Sequence, residues 1–296
     1  MLILAISLFL FALTIIFQKF VLLSGVPINA FLALRMLVPA VFLSFFEILR
    51  GRKHDLMPLF KPKYVAIACL TTFLPLFLKN LAHSRMSSGK FALIGSIDPF
   101  VTCVLTFILF GQLISRQKIT GIMFAVVGVG ILSFNKIPLE LSERIFFFLS
   151  WPELFAILAV TLGRLGWIAC QTFLKNGLLS ETQANIVFMG FPGILAASLT
   201  VLNGQMSQLF SDFNLKTWIA IISSIFINAL ACILMTKSLK KFSAVTISLS
   251  GTCIIPICVA LGGALIYNEP ITLAFFGALS LIFTGLMIFN TDRKLV

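Results

Sequence analysis

Charge is scarce in this sequence. Asp, Glu, Lys and Arg make up 11% of the 296 residues, while hydrophobic types make up 59%. A soluble domain carries about 25% charged residues and needs them on its wet surface. A soluble globular enzyme is excluded on that ground. Histidine is close to absent: only His54 and His83 occur, and this reading places both in polar connecting stretches. The apolar segments therefore lack the usual proton-transferring side chain. There is no GxxxxGK[ST] loop, so no ATP drive is encoded, and there is no GxSxG nucleophile turn. Paired Asp-rich motifs for a prenyl-transfer metal are missing, as is a carboxylate and histidine cluster for a redox metal. The six cysteines form no CxxC pair and no zinc spacing, and each lies in an apolar run, so they read as small core residues. The expectation is a protein without cofactor, metal or enzymatic activity.

Bulky apolar residues are abundant. Phe alone numbers 32, which rules out a disordered chain. The apolar runs are continuous, as in Ile122 to Phe134 and Ile271 to Phe289, whereas a membrane β-barrel alternates. Continuous runs mean helices, which satisfy their own backbone polar groups in lipid. About 20 apolar residues cross a bilayer. Ten spans follow, near 2–23, 28–49, 64–82, 91–110, 119–134, 151–173, 183–202, 216–236, 243–266 and 271–289. The first has no basic leader and is read as a true helix.

The net charge of +12 suits a membrane protein better than a nucleic-acid binder. Thirteen basic residues fall on the side of the two termini, six on the other side, and three (Lys19, Arg35, Arg164) within spans. Basic residues gather on the cytoplasmic side. Both termini are thus expected in the cytoplasm, with the chain in a cell membrane, the bacterial inner membrane on this reading.

A polar joint, residues 135–150, separates five spans in 1–134 from five in 151–296. At an offset of 157, Pro99 meets Pro256, Gln112 meets Glu269 and Gly128 meets Gly285. An odd number of spans per repeat sends the two halves into the membrane from opposite faces. The expected fold is all-α and integral to the membrane. It has ten transmembrane helices as two inverted five-helix repeats around a central cavity, an arrangement of secondary transporters.

With these features the chain resembles the drug/metabolite transporter superfamily and its EamA-type branch. The matching residues are Lys19, Arg35 in Ala33-Leu34-Arg35-Met36, Pro99, Gly121 and Gly128 in the first half, and Pro256, Glu269 and Gly285 in the second. The departures are Gly111-Gln112 in place of Gly-Glu, Met189 where an Arg might be expected by symmetry, and Asn268-Glu269 without the glycine. The resemblance implies a carrier of small organic solutes. Lipid-linked sugar translocators share the fold, so a flippase is the nearer alternative, and a non-transporting membrane protein the more distant one.

Ionisable groups inside a span cost about 2.5–3.5 kcal/mol on insertion scales and so mark function. Asp98 beside Pro99 is a candidate for binding a cation or a cationic group; pairing with a structural Arg is the competing reading. Arg164 and Trp167, three apart on one helix face, form a wall for a carboxylate or phosphate. A buried pair of Arg164 with Asp98 competes, and a gate would satisfy both. Lys19 and Arg35 are read as gating or structural, and Gln18 and Gln171 as helix-joining amides. Lys79, Asn80, His83, Arg85 and Lys90 cluster around a turn, with Lys90 a substrate contact. Asn228 is a cavity candidate. Glu269 is read as a turn-maker, and Pro99 and Pro256 as structural.

The expected function is secondary-active transport of a small metabolite, with a coupling ion or counter-substrate and membrane lipids as the other partners. The cations Lys19, Arg35, Arg164 and Lys90 point to a carboxylate or phosphate on the solute. Asp98 leaves room for a zwitterion. Amino acids, S-adenosylmethionine and nucleotide-like solutes are the candidates, and Ser87-Ser88-Gly89-Lys90 resembles carriers of S-adenosylmethionine in intracellular bacteria.

Overall fold

A computed structural model describes residues 2–51, 59, 61–111, 114–134, 150–206, 213–242 and 244–290. The fold is all-helical. The first half holds α1 (Leu2–Leu23), α2 (Ile28–Leu49), α3 (Pro62–Ala68), a π-turn (Cys69–Phe73), α4 (Leu74–His83), α5 (Ser88–Gly95), α6 (Asp98–Phe110) and α7 (Arg116–Phe134). The second holds α8 (Trp151–Lys175), α9 (Glu181–Leu202), α10 (Leu215–Lys241), α11 (Ala244–Tyr267) and α12 (Leu273–Asn290). The α3–π–α4 run is one rod, Pro62–His83, and α5–α6 is one rod broken at Ser96-Ile97, Ser88–Phe110.

Among the described residues, eight of these stretches, each 22 to 27 residues long, have the length and hydropathy to cross a bilayer. The remaining two, α7 and α12, have 19 and 18 residues and pack on each other. The α1 and α2 limits coincide with the expected spans. Sequence-level caps set other ends. Ser150 and Glu153 form a capping box with Pro152 in the first turn of α8, and Ser180 and Gln183 another at α9.

Helices pair across the two halves. The α2 helix lies against α9, α7 against α12, α1 against α10 and α11, and α4 against α8, while α5 and α6 both meet α11. No hydrophobic drive brings helices together in lipid, so close packing of small residues does much of the work. A Cβ at Gly121 would lie 2.6 Å from the Gly285 carbonyl oxygen, and one at Gly285 would lie 2.7 Å from the Gly121 oxygen. One turn pair further along, a Cβ at Gly128 would meet the Ala278 oxygen at 3.1 Å. Bulky side chains such as Phe42, Leu202, Leu265 and Met287 face outward, where lipid lies.

The offset of 157 finds a new pair here. Gly111 caps α6 with φ +67°, and Asn268, 157 residues later, follows α11 with φ +52°. Asn is the non-glycine residue that best tolerates the left-handed region. The glycine missing from the second turn is thus replaced by the next best residue for the same backbone shape.

A cavity between the halves

Five prolines sit within the apolar rods: Pro39, Pro75, Pro99, Pro192 and Pro256. Proline has no N–H, so the carbonyl four residues earlier loses its usual helical donor. Pro75 and Pro99 open α4 and α6, whereas Pro39, Pro192 and Pro256 lie inside α2, α9 and α11, where the residues four earlier are Arg35, Phe188 and Thr252. All three line one cavity of about 280 Å³ between the two halves. The π-turn ends just before Pro75, and such bulges are frequent at functional sites.

Much of the wall is apolar, with Phe11, Phe91, Trp167 and several methionines. Phe11 and Trp167 meet edge to face at 6.3 Å. Polar groups are few. Arg164 on α8 pairs with Asp98 on α6, and both line the cavity. Asp98 Oδ1, the other carboxylate oxygen, is buried without a hydrogen-bond partner among the described residues. Arg35 is 4% exposed. It donates to Gln18 Oε1 at 2.7 Å and Asn228 Oδ1 at 2.8 Å, tying α2 to α1 and α10. Its Nε and the Asn228 Nδ2 remain unpartnered. Asn185 and Thr236 join α9 to α10 on the same wall, at 3.0 Å.

The cavity therefore unites Asp98, Arg164, Trp167, Asn228, Arg35 and Pro256. Lys90 does not reach it. That side chain turns to Glu153 at 2.8 Å, with both groups almost fully buried. Glu153, a helix-cap residue, offsets the charge of the buried lysine.

The reading of Lys79, Asn80 and His83 as a turn needs correction. All three belong to α4. Asn80 and His83 are buried, and His83 stacks on Phe91 at 4.4 Å. Lys79 lines the cavity, with Nζ 5.5 Å from the Phe91 ring centre and no carboxylate within 4 Å among the described residues. Its helical phase was the available signal: Thr71, Pro75 and Lys79 recur every four residues on one face, as wall residues do.

Two sets of contacts close the ends of the bundle. At the end away from the termini, Lys19 donates to the Met86 carbonyl at 2.9 Å and pairs with Glu269. Glu269 also accepts from the Ser88 N–H at 2.8 Å. At the end of the termini, Gln171 donates to the carbonyls of Leu239 at 3.1 Å and Phe242 at 2.7 Å, and accepts from the Ala244 N–H at 3.2 Å. Lys19 on α1 thus holds the α4–α5 turn, and Gln171 on α8 holds the α10–α11 turn.

Residues 1–134 match the EamA-like transporter family. Over this first part the chain is similar to EamA-like transporters of the drug/metabolite superfamily, and its apolar helices are those of a multi-pass membrane protein. Comparison with curated proteins finds no match. A crystal structure of another protein aligns over 97% of this chain and 98% of that one, at a TM-score of 0.65 and 15% sequence identity. That likeness is one of fold.

Proposed function

We propose that the chain is a secondary-active carrier of a small organic metabolite, working by alternating access between two inverted five-helix repeats of ten spans in all. The carrying observation is a cavity with buried and half-buried ionisable groups, walled by both halves. Two-fold pairing supports the repeat. Gly121 touches Gly285 and Gly128 touches Ala278, and adding 157 to 121 and 128 returns 278 and 285. The two contacts exchange under one operation, as an inverted repeat requires.

In this reading 1–134 and 151–296 rock against each other about the joint at 135–150. Lys19–Glu269 and Lys90–Glu153 hold one end shut, and Gln171 the other. With both termini cytoplasmic, in a bacterial inner membrane, the ion-paired end faces outward. A proton or sodium gradient, or a counter-solute, supplies the drive, and the chain catalyses no covalent step.

Reconstitution into proteoliposomes with labelled amino acids, S-adenosylmethionine and nucleotides tests the proposal. Saturable uptake of at least one is expected; absence of flux for every class overturns it. The ion-paired end has its own test. In a cysteine-free background, Ala92→Cys places a thiol on the cavity wall near that end. Adding Glu269→Gln is expected to raise its labelling by an impermeant maleimide about tenfold, the effect of ~1.4 kcal/mol. Unchanged labelling rejects the latch.

A further inference from the structure

The cavity holds complementary groups that nothing among the described residues satisfies. Its charges do not balance: Arg35, Lys79 and Arg164 stand against Asp98 alone. The Arg164–Asp98 pair is internally neutral, and Arg35 rests on two amide oxygens. The surplus therefore centres on Lys79, which among the described residues has only the face of Phe91. An aromatic face holds a lysine less strongly than an anion would in the same place. Two further donors near this surplus, Arg35 Nε and Asn228 Nδ2, are unpartnered. The wall also presents surplus acceptors. Asp98 Oδ1 has no partner among the described residues, and Arg35, Phe188 and Thr252, whose carbonyls each lose a helical donor to an interior proline, line the cavity. Buried polar groups left unpaired are destabilising, and a ligand that completes them recovers that cost.

We infer that the transported solute is an organic anion that also carries hydrogen-bond donors: a hydroxylated or aminated carboxylate, or a phosphate monoester of a hydroxylated body. The inference rests on the reading of this cavity as the carrier's substrate site. The anionic group docks on Lys79, with Asn228 and Arg35 behind it. Hydroxyl or N–H groups of the solute donate to Asp98 Oδ1 and to the proline-released carbonyls. Its apolar or planar portion lies against Trp167 and Phe11. A cationic amine meets the surplus of positive charge and is rejected. An anion without donors leaves the acceptors bare and binds weakly.

Six probes on two scaffolds separate these elements. On a phenyl scaffold they are 4-hydroxyphenyllactate, 3-phenylpropanoate and tyramine. On a nucleoside scaffold they are adenosine 5′-monophosphate, adenosine and 5′-amino-5′-deoxyadenosine. Binding to the purified full chain in detergent is read from ligand-dependent thermal stabilisation, and transport from counterflow in proteoliposomes. Hydroxyphenyllactate or the monophosphate is expected to bind at least tenfold more tightly than the donor-free acid or the neutral nucleoside of its own scaffold. The two amines are expected not to bind. Which head group wins distinguishes carboxylate from phosphate.

Lys79→Gln is expected to weaken binding of the preferred anion at least tenfold, Lys79→Arg to keep most of it, and Lys79→Glu to admit the amine. Melting without ligand confirms that each variant is folded, and Lys79→Arg supplies a charge-conserving comparison should Lys79→Gln fold poorly. Amines binding as well as anions, a donor-free acid binding as well as a hydroxylated one, an unchanged affinity in Lys79→Gln, or no binding by any probe each overturns the inference. Flux of an amine would remove the anion class and keep the carrier. Binding of the anions without flux would remove the carrier and keep the class.

Discussion

Arg164→Met is expected to eliminate transport and sharply reduce the yield of folded protein. The substitution strands Asp98, which already has one unpartnered oxygen, inside the bundle. Removing one member of a fully buried ion pair costs about 3–5 kcal/mol, and this half-buried pair falls toward the lower end. Asp98→Leu strands Arg164 and is expected to do the same. The double variant Arg164→Met with Asp98→Leu removes both charges. It is expected to recover most of the lost stability, because apolar replacement of a whole buried pair is often neutral or better. Transport is expected to stay absent, since the cavity then lacks its carboxylate. Melting followed by size exclusion, together with uptake, checks both parts. A double variant as unstable as the singles would show that the two groups act separately. Normal uptake by the double variant would make the pair purely structural.

The second large effect is expected at the α7–α12 contact. Gly285→Leu places a side chain where even a Cβ lies 2.7 Å from a backbone oxygen. Backbone cannot swing aside as a flexible side-chain tip does, so the two helices must separate. Overpacking typically costs about 1–3 kcal/mol, and direct conflict with main chain sits at or above that range. Folded yield is expected to fall by roughly tenfold or more, and Gly121→Leu should match it. Gly130→Leu, on the same helix with nothing within 4 Å, serves as the control and is expected to behave as the parent protein. Equal yields from Gly285→Leu and Gly130→Leu would refute this account of the contact.

The spans were legible because lipid demands long apolar runs, and their lengths are visible in one dimension. The Arg164–Asp98 pair was legible for a related reason. Few ionisable groups lay mid-span, and two of opposite sign had reason to meet across 66 positions. Lys79 was not legible in its true place. Polar density from Asn80 to Lys90 imitates a connecting loop, yet α4 continues to His83 because Asn80 and His83 are buried inside the bundle. The partner of Lys90 was equally hidden. Glu153 sits three residues into a helix, where a carboxylate is expected for capping alone, and only the packing of α5 beside α8 brings the lysine to it. Gln171 was read as a helix-joining amide, but which turn it fastens depends on the α10–α11 connection, 71 residues away.

The five prolines have a consequence for the proposed transport cycle. Each one softens its rod beside the cavity. On that proposal, a solute that grips the backbone there splints the joints on which rocking would depend. Grip and turnover draw on the same stretch of backbone and oppose each other. The tightest ligand of this cavity should be a brake, and the best cargo one that holds on only loosely.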